Sequence, residues 1–271
     1  LVPGSVYHAL TAVPGLRRGR CAAREPEPVR PVPQERIDAI QPFVSRQVWA
    51  LVQLQLLTAA RAGELVGLRP GDIERTGKIW TCSPTEHKTA HHGHRRIIYF
   101  GPKAQAVLEP FLLRPDDKPL FSPLEAEQER RRCLSEQRVT PLSCGNRPGS
   151  HVPRTSRRLS NQYDVGAYRG AIARACDQAF PPPEPLAQRS DETKKAWQAR
   201  LNPKQRRQLS DWQKVHRWHP HQLRHNAATE LRKEFGVETA RILLGHRSPT
   251  ITEVYAELDR AKAVDAAWLV G

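Results

Sequence analysis

The sequence lacks long apolar runs and clustered cysteines. No 18 consecutive residues are apolar, and the longest apolar-rich stretch, Val48 to Ala60, is interrupted by Gln53 and Gln55. This excludes a membrane-spanning helix. The five cysteines lie far apart without a CxxC pair, which excludes a disulfide framework and a zinc-finger spacing and indicates reduced thiols. Because no basic segment followed by an apolar one opens the chain, we expect no signal peptide and a cytoplasmic location.

Negative charge is also in short supply. The chain of 271 residues has 43 Lys and Arg against 28 Asp and Glu, which gives a formal net charge of +15. Excess Lys and Arg can neutralise phosphates and release counterions, so this charge favours a nucleic-acid partner. The alternative is a surface that is merely solubilising, and the charge alone does not decide between them.

The chain divides by composition into a linker and one large body. Residues 1–33 are rich in proline and arginine and predict a basic, extended linker. Helical spacing of apolar residues begins after Gln34, with Ile37 and Ile40. Residues 181–214 start with three prolines and are highly polar. They predict an insertion that is partly helical and weakly packed.

The middle of the chain predicts a β-hairpin and then charged loops. Residues 78–82 and 95–100 are strand-like and flank a polar, His-rich loop at 85–94. Residues 114–160 are heavily charged and predict loops, whereas residues 161–180 predict a helix.

The last block predicts three helices separated by glycines. Residues 221–235 have a helical pattern, with Gly236 at the position after the helix. Residues 237–244 predict a second helix, closed by Gly245. A third helix is predicted to start at Ser248, which is followed by proline.

Several short motifs have an ordinary explanation when each is taken alone. Arg61 and Glu64 lie three residues apart and would form a common helix ion pair. Lys88 lies in the loop between the predicted strands, where a lysine is normally a solvated charge. Tyr255 follows His246 by nine residues, and a single tyrosine on an amphipathic helix usually contributes to packing.

His221, Arg224 and His225 share one face of a predicted helix, because they are three and four residues apart. The two histidines resemble an HxxxH zinc pair, but Gln222 stands where a metalloprotease needs Glu, and Arg224 would repel a dication. A His-rich metalloenzyme is therefore an alternative, although arginine beside histidine suits a phosphate better.

Taken together, these motifs predict a site that acts on a phosphodiester. Two arginines can clamp a phosphate and offset the charge that develops on its oxygens. Histidines can bind the same oxygens or move a proton, a lysine can protonate a leaving oxygen, and a tyrosine can act as a nucleophile. Because the cations are side chains, we expect neither a metal nor another cofactor.

The ordered set of motifs resembles the tyrosine recombinases, also called phage integrases. The box around Arg61 is similar to the family's first arginine motif, and Lys88 falls where its β-hairpin lysine lies. The segment from His221 to His225 matches the HxLRH box, and Leu244-Gly245-His246 followed by Tyr255 matches the LGH…Y ending. The resemblance runs from about residue 29 to residue 271 and is weak at 152–214.

The resemblance implies a fold and an activity. The fold would be α+β and mainly helical, the recombinase catalytic domain with a small antiparallel sheet. The activity would be site-specific DNA cleavage and rejoining through a 3′-phosphotyrosyl intermediate. The resemblance assigns the following roles: Tyr255 as nucleophile, Arg61 and Arg224 as the phosphate clamp, Lys88 as the general acid, His221 in proton transfer, His246 as a phosphate ligand, and Glu64 and His225 as supporting residues.

The family resemblance also sets expectations for domains and partners. Residues 34–271 would be the catalytic domain, and residues 1–33 would hold at most a remnant of the family's DNA-clamping domain, so cutting would be weak or nonspecific. The partner would be double-stranded DNA, bound by a homo-tetramer, with a monomer in its absence, no membrane, and a bacterial or phage origin. Two arginine-rich segments are candidate DNA contacts or solvated loops: Arg130, Arg131, Arg132, Arg154, Arg157 and Arg158.

The sequence departs from the family pattern at one position, and two alternative functions remain open. Ala59 stands where the family usually has glycine before its first arginine, so it must tolerate a turn that glycine makes easily. A type IB topoisomerase shares the chemistry but relaxes DNA without exchanging strands. A DNA-binding remnant of a mobile element would bind without cutting.

Overall fold

The computed structural model describes residues 3–13, 28–84, 96–139 and 159–245. Within these ranges the chain forms ten α-helices and one small antiparallel sheet, which confirms the expected α+β, mainly helical class. The elements are α1 Gly4–Ala12, α2 Gln34–Asp38, α3 Arg46–Thr58, α4 Ala62–Val66, β1 Ile73–Glu74, β2 Trp80–Cys82, β3 Ile98–Phe100, α5 Pro102–Leu108, α6 Pro123–Glu136, α7 Val165–Ala179, α8 Lys194–Arg200, α9 Pro203–His216 and α10 Pro220–Leu244.

Helix α3 lies at the centre of the hydrophobic core. Its start is capped by Ser45, whose side chain accepts a hydrogen bond from the Val48 amide at 3.3 Å. Leu51 and Leu54 are fully buried, and α3 packs against α4, α5, α7 and α10. The helix ends at Ala59, which adopts the left-handed conformation with φ 54° and ψ 19°. The expected turn before Arg61 is therefore present, and an alanine adopts the conformation that glycine would adopt more easily.

The sheet has the order β1-β2-β3 with both pairs antiparallel. Ile73, Cys82 and Ile98 lie opposite one another across the three strands, and all three are buried. This row is the face that packs on the core. The predicted hairpin of β2 and β3 is confirmed, whereas β1 was not anticipated because it is only two residues long.

Helix α7 follows the predicted helix at 161–180 closely. It starts at Val165 because the Asp164 side chain accepts a hydrogen bond from the Ala167 amide at 2.6 Å. Tyr168, Ile172 and Cys176 recur every fourth residue and are fully buried. The spacing places one face of α7 in the core.

Helix α10 reverses direction at Gly236. This residue lies within the residue range of the helix but has the non-helical dihedral angles φ 83° and ψ 173°. Twenty residues of straight helix would separate Arg224 from Leu244 by about 30 Å. However, Nη2 of Arg224 lies 2.5 Å from the Leu244 carbonyl oxygen. The chain therefore folds back as two helical arms, 220–235 and 237–244, and ends at Gly245 with φ 65°. The first two of the three predicted helices and their glycine boundaries are confirmed, and the third, from Ser248, lies outside the described residues.

The predicted loops at 114–160 are wrong in part, because α6 occupies Pro123–Glu136. Ser122 caps this helix, and Pro123 takes its first position. Its arginines pair with glutamates one turn away: Nε of Arg130 and of Arg131 each lie 2.7 Å from Glu127. These pairs stabilise a helix with hardly any buried surface, which a search for apolar spacing does not detect.

The predicted linker at 1–33 is also different in two places. Residues Gly4–Ala12 form α1, a helix without buried residues, where extended chain was expected. Val32 is 4% exposed and belongs to the core. The Asn226 side chain accepts a hydrogen bond from the Val32 amide at 2.8 Å and donates one to its carbonyl at 2.6 Å. Residues 28–33 thus lie against α10.

The polar segment at 181–214 forms α8 and most of α9, and neither helix has a buried residue. Arg200 organises this segment: it bonds Glu192 at 2.8 Å and the carbonyls of Pro185 and Ala187 at 2.9 and 2.8 Å. The prediction of partly helical structure is confirmed, whereas Leu186 and Leu201, which lie outside the two helices, are buried. No helix among the described residues is long and apolar enough to cross a membrane.

Candidate active site

The loop between α3 and α4 presents Arg61 at the surface. The backbone amide of Arg61 donates to Oε2 of Glu64 at 3.0 Å, and its Nη1 donates to Oε1 of the same carboxylate at 2.7 Å. Glu64 is the third residue of α4, so its side chain folds back over the first turn. This clamp fixes the Arg61 side chain, which remains 26% exposed and can meet a ligand.

Glu64 is a buried carboxylate between two arginines. Its side chain is 4% exposed, and Nε of Arg96 lies 3.4 Å from Oε2, the oxygen that also accepts from the Arg61 amide. Burial raises the pKa of Glu64, but the charges of Arg96 and Arg61 and the hydrogen bonds from Arg61 outweigh it, so the pKa is lower than usual. Glu64 is therefore ionised at neutral pH and binds both arginines as an anion.

Arg96 is a member of this cluster that the motifs did not reveal. It lies just before β3 with a side chain 3% exposed, and its Nη1 donates to the carbonyls of Ile97 at 3.0 Å and Leu243 at 2.7 Å. Alternation along the strand could have found it, since Arg96 shares a face with the buried Ile98 and Phe100. A charge on the inner face of a strand needs a partner.

Arg224 joins the two arginine motifs. It is fully buried, and its guanidinium donates from Nη1 to the Ala59 carbonyl and from Nη2 to the Leu244 carbonyl at 2.5 Å. Ala59 lies two residues before Arg61. The bond from Arg224 to Ala59 therefore fixes the loop that carries Arg61. The bond from Arg224 to Leu244 holds the end of α10 beside that loop.

Two buried hydrogen bonds, from Tyr168 to Gln55 and from Gln55 to the main chain, stabilise the loop that carries Arg61. Nε2 of Gln55 donates to the Ala60 carbonyl at 3.3 Å, and the Tyr168 hydroxyl donates to Oε1 of Gln55 at 2.9 Å. Burial holds the pKa of Tyr168 well above its usual value, so the hydroxyl stays a donor. The sequence showed Gln55 only as an interruption of an apolar run; here it satisfies the loop's main chain.

The histidines of α10 lie on one face, as predicted. His221 is exposed and His225 is 4% exposed, with ring centroids 5.3 Å apart and nearly perpendicular. His219 lies at the start of α10, and burial and the charge of Arg169 lower its pKa. In the described part of the chain, no three His, Cys, Asp or Glu side chains are placed to hold a metal ion.

The remaining predicted site residues fall into two groups. Arg130, Arg131 and Arg132 lie on α6, each within 4 Å of a glutamate of the same helix. Six others lie outside the described residues: Lys88, His246, Tyr255, Arg154, Arg157 and Arg158. The structure thus brings Arg61, Glu64 and Arg224 together, and it places His221 and His225 on the same helix as Arg224.

Comparison with known proteins finds a family match over part of the chain. Residues 186–262 match the sequence profile of the phage integrase family, a stretch that includes His221, Arg224, His225 and Tyr255. The resemblance to the phage integrases is confirmed. No curated protein matches the sequence.

Solved structures share the integrase fold. The Tn1549 transposon integrase in complex with a circular intermediate DNA is 14% identical, with a TM-score of 0.52 over 97% of this chain and 76% of that one. The same integrase in complex with transposon right end DNA is 15% identical, with a TM-score of 0.51 over 98% and 76%. The site-specific recombinase XerH, bound to palindromic difH substrate, is 14% identical, with a TM-score of 0.49 over 92% of this chain. This chain spans 54% of the length of XerH.

Proposed function

We propose that this chain cuts and rejoins double-stranded DNA as the catalytic part of a tyrosine recombinase. The observation that carries the proposal is the bond from Arg224 to the Ala59 carbonyl, because it assembles the two arginine motifs at one place. Glu64 and Arg96 complete a cluster with three guanidiniums and one carboxylate. Such a surplus of fixed positive charge suits a phosphodiester.

The proposed reaction exchanges one phosphodiester for another. The Tyr255 oxygen attacks the scissile phosphorus, the bond to the 5′-oxygen breaks, and a 3′-phosphotyrosyl link forms. Lys88 gives its proton to the 5′-oxygen, and His221 assists removal of the tyrosine proton. Arg61, Arg224 and His246 bind the phosphate oxygens. Because a phosphoester replaces a phosphoester, rejoining needs no external energy source.

Arg61 and Arg224 do not have equal access to a phosphate. The Arg61 side chain is 26% exposed, whereas both terminal nitrogens of Arg224 donate to main-chain carbonyls. In this conformation Arg224 acts on the geometry of the Arg61 loop. Each terminal nitrogen of Arg224 carries a second N–H that could donate to a phosphate oxygen, but the side chain is fully buried and must become exposed before it can contact DNA.

The proposed partner is double-stranded DNA, with a homo-tetramer on DNA and a monomer in its absence. The net charge of +15 supports DNA binding. The Tn1549 integrase and XerH structures contain DNA. Among the candidate contacts of the arginine-rich segments, Arg154, Arg157 and Arg158 stay predictions. The contribution of α6 is weakened, because its four glutamates outnumber its three arginines.

The test does not require knowledge of the target site. The protein is incubated in EDTA with a random-sequence library of nicked duplexes, since a nick lets the cut end diffuse away and traps the covalent intermediate. Adducts are isolated under denaturing conditions, and the modified peptide is identified by mass spectrometry. We expect DNA on the peptide that contains Tyr255, and sequencing of the attached DNA gives the site preference.

Tyr255→Phe is the matched control, because it removes the nucleophile and keeps the ring. It should bind DNA as the parent does and form no adduct. DNA binding without an adduct from the parent chain would instead identify a DNA-binding module. Zinc at one per chain together with loss of activity in EDTA would point to a metalloenzyme. Relaxation of supercoiled DNA without strand exchange would identify the topoisomerase activity.

A further inference from the structure

We propose that Arg96 is a positioning residue of this site: it joins Arg61 and the end of α10 into one rigid unit. The inference deepens the proposed function and rests on it. Arg96 makes no contact with Arg61 itself in the described structure; the link runs through the Glu64 carboxylate. On its other side, Arg96 reaches the last turn of α10 through the Leu243 carbonyl.

Arg96 makes both of these contacts through its planar guanidinium. Its Nε faces Oε2 of Glu64 at 3.4 Å, and its Nη1 donates to the Leu243 carbonyl at 2.7 Å. These partners are 179 residues apart in the chain, at positions 64 and 243. Because the guanidinium is planar and rigid, it fixes the distance between them in a way that a flexible ammonium cannot.

Gly245 shows how closely the end of α10 lies against Arg96. A Cβ at this glycine would come within 2.8 Å of Cδ and 2.9 Å of Nη1 of Arg96. The glycine also has φ 65°, which an L-residue with a side chain rarely adopts. The contact and the backbone conformation therefore both favour glycine here.

Burial of Arg96 is not explained by stability alone. A guanidinium that is 3% exposed pays a large desolvation cost, and an apolar side chain of similar volume often packs with equal or better stability. Among the described residues, its Nη2 has no hydrogen-bond partner, so the cost is not fully offset. What an apolar residue could not do is hold Glu64 and Leu243 at once.

The consequence for the reaction is a geometric one. The Arg61 guanidinium is placed by Glu64, and Glu64 is held between Arg61 and Arg96. The segment that follows α10 starts at Gly245, against Arg96. Loss of Arg96 would loosen both sides by a fraction of an ångström without removing a group that touches DNA. Misplacement of about 1 Å can reduce a rate by roughly 100-fold.

The test compares Arg96→Gln and Arg96→Lys with Arg114→Gln as the matched control. Arg114 is also a partly enclosed arginine that bonds two carbonyls and a glutamate, those of Phe111, Pro119 and Glu125. For each variant we would measure the rate of adduct formation at saturating nicked duplex, the DNA concentration at half-maximal rate, the melting temperature, and hydrogen exchange at residues 62–66 and 240–245.

We expect Arg96→Gln to lower the saturating rate by roughly 10- to 100-fold and to change the half-maximal DNA concentration by less than about twofold. Arg96→Lys should recover part of the rate, because the ammonium keeps the charge but lacks the planar, rigid geometry that holds both partners in place. Hydrogen exchange should rise at 62–66 and at 240–245 together. Arg114→Gln should lower the melting temperature and leave the saturating rate near that of the parent.

A double variant separates positioning from general support. If Arg96 acts through Glu64, Arg96→Gln should add little to the loss already caused by Glu64→Gln. The proposal is overturned if Arg96→Gln reacts at the parental rate, or if its loss matches that of Arg114→Gln at equal loss of stability. If the parent forms no adduct, the proposed function fails, and hydrogen exchange alone decides whether Arg96 joins the two segments.

Discussion

Ala59 carries backbone strain at the point where the two arginine motifs meet. Its left-handed conformation costs an L-residue about 1–2 kcal/mol relative to glycine. The strain is tolerated because the residue is fully buried and its carbonyl accepts the bond from Arg224. An observed outlier of this kind at a candidate site is consistent with a geometry selected for function rather than for stability.

Substitutions at Ala59 should separate the strain from the packing. Ala59→Gly removes the strain but also removes a buried methyl worth about 0.8 kcal/mol and adds freedom to the unfolded chain, so stability should stay within about 1 kcal/mol. Ala59→Val should destabilise by about 2–4 kcal/mol, because a branched side chain is poorly tolerated in this conformation and in a filled core. Urea unfolding of the three proteins measures both. Equal stability of Ala59→Val and the parent would contradict the left-handed turn.

Local sequence predicted some of the site's geometry and not the rest. The turn at Ala59, the ion pair of Arg61 with Glu64 and the shared face of His221 and His225 are set by residues close in the chain, and they were predicted correctly. Arg96 was missed because its partners, Glu64 and Leu243, are 32 and 147 residues away. Short-range patterns contain no information about such pairs; only the inward position of Arg96 on a strand gave a signal.

At the scale of elements, α6 differs from the helices of the core. Helix α7 buries about one residue in every turn, and α3 buries about two. Helix α6 buries only Ala126 and is held by its cap and by ion pairs along its surface. A run of three arginines therefore indicated a loop or a DNA contact in the sequence, although each charge has a partner within the helix.

The pairing on α6 predicts that its arginines add little to DNA binding. Replacing Arg130, Arg131 and Arg132 with glutamine should leave the salt dependence of DNA affinity unchanged. Three lost phosphate contacts would instead lower the slope of log K against log salt by about 3. Lys204→Gln with Arg207→Gln is the comparison, since both are exposed on α9 and form no ion pair among the described residues. A lower slope for the α6 variant alone would place that helix on the DNA.

At the scale of the whole molecule, residues 28–33 pack against the folded domain that starts at residue 34. Val32 fills the core and bonds Asn226 through both its amide and its carbonyl, and the Gln222 side chain bonds the Arg30 carbonyl at 3.1 Å. These contacts lie on the first arm of α10, which also carries Arg224. The boundary predicted at residue 33 therefore passes through packed structure rather than through a free linker.

Two truncated chains test this boundary. A chain that starts at Gln34 should be about 2 kcal/mol less stable than one that starts at Pro28, because burial of a valine and the bonds to Asn226 are lost. Urea unfolding of both chains measures the difference. Asn226→Ser should weaken the longer chain and leave the shorter one nearly unchanged, since its partner is already absent. Equal stability of the two truncated chains would show that residues 28–33 do not contribute.

The reversal of α10 at Gly236 also determines when the site can form during synthesis. Arg61 and Glu64 are made well before Leu244, whose carbonyl accepts a bond from Arg224, and the bond from Arg224 to Ala59 spans 165 residues. Contacts of such long range form late, because the intervening chain must be ordered first. A chain interrupted on the ribosome before residue 244 therefore has one arginine motif in place and lacks the assembled pair. Under the proposed function, the ability to cut DNA appears only after Leu244 and Tyr255 have both been made.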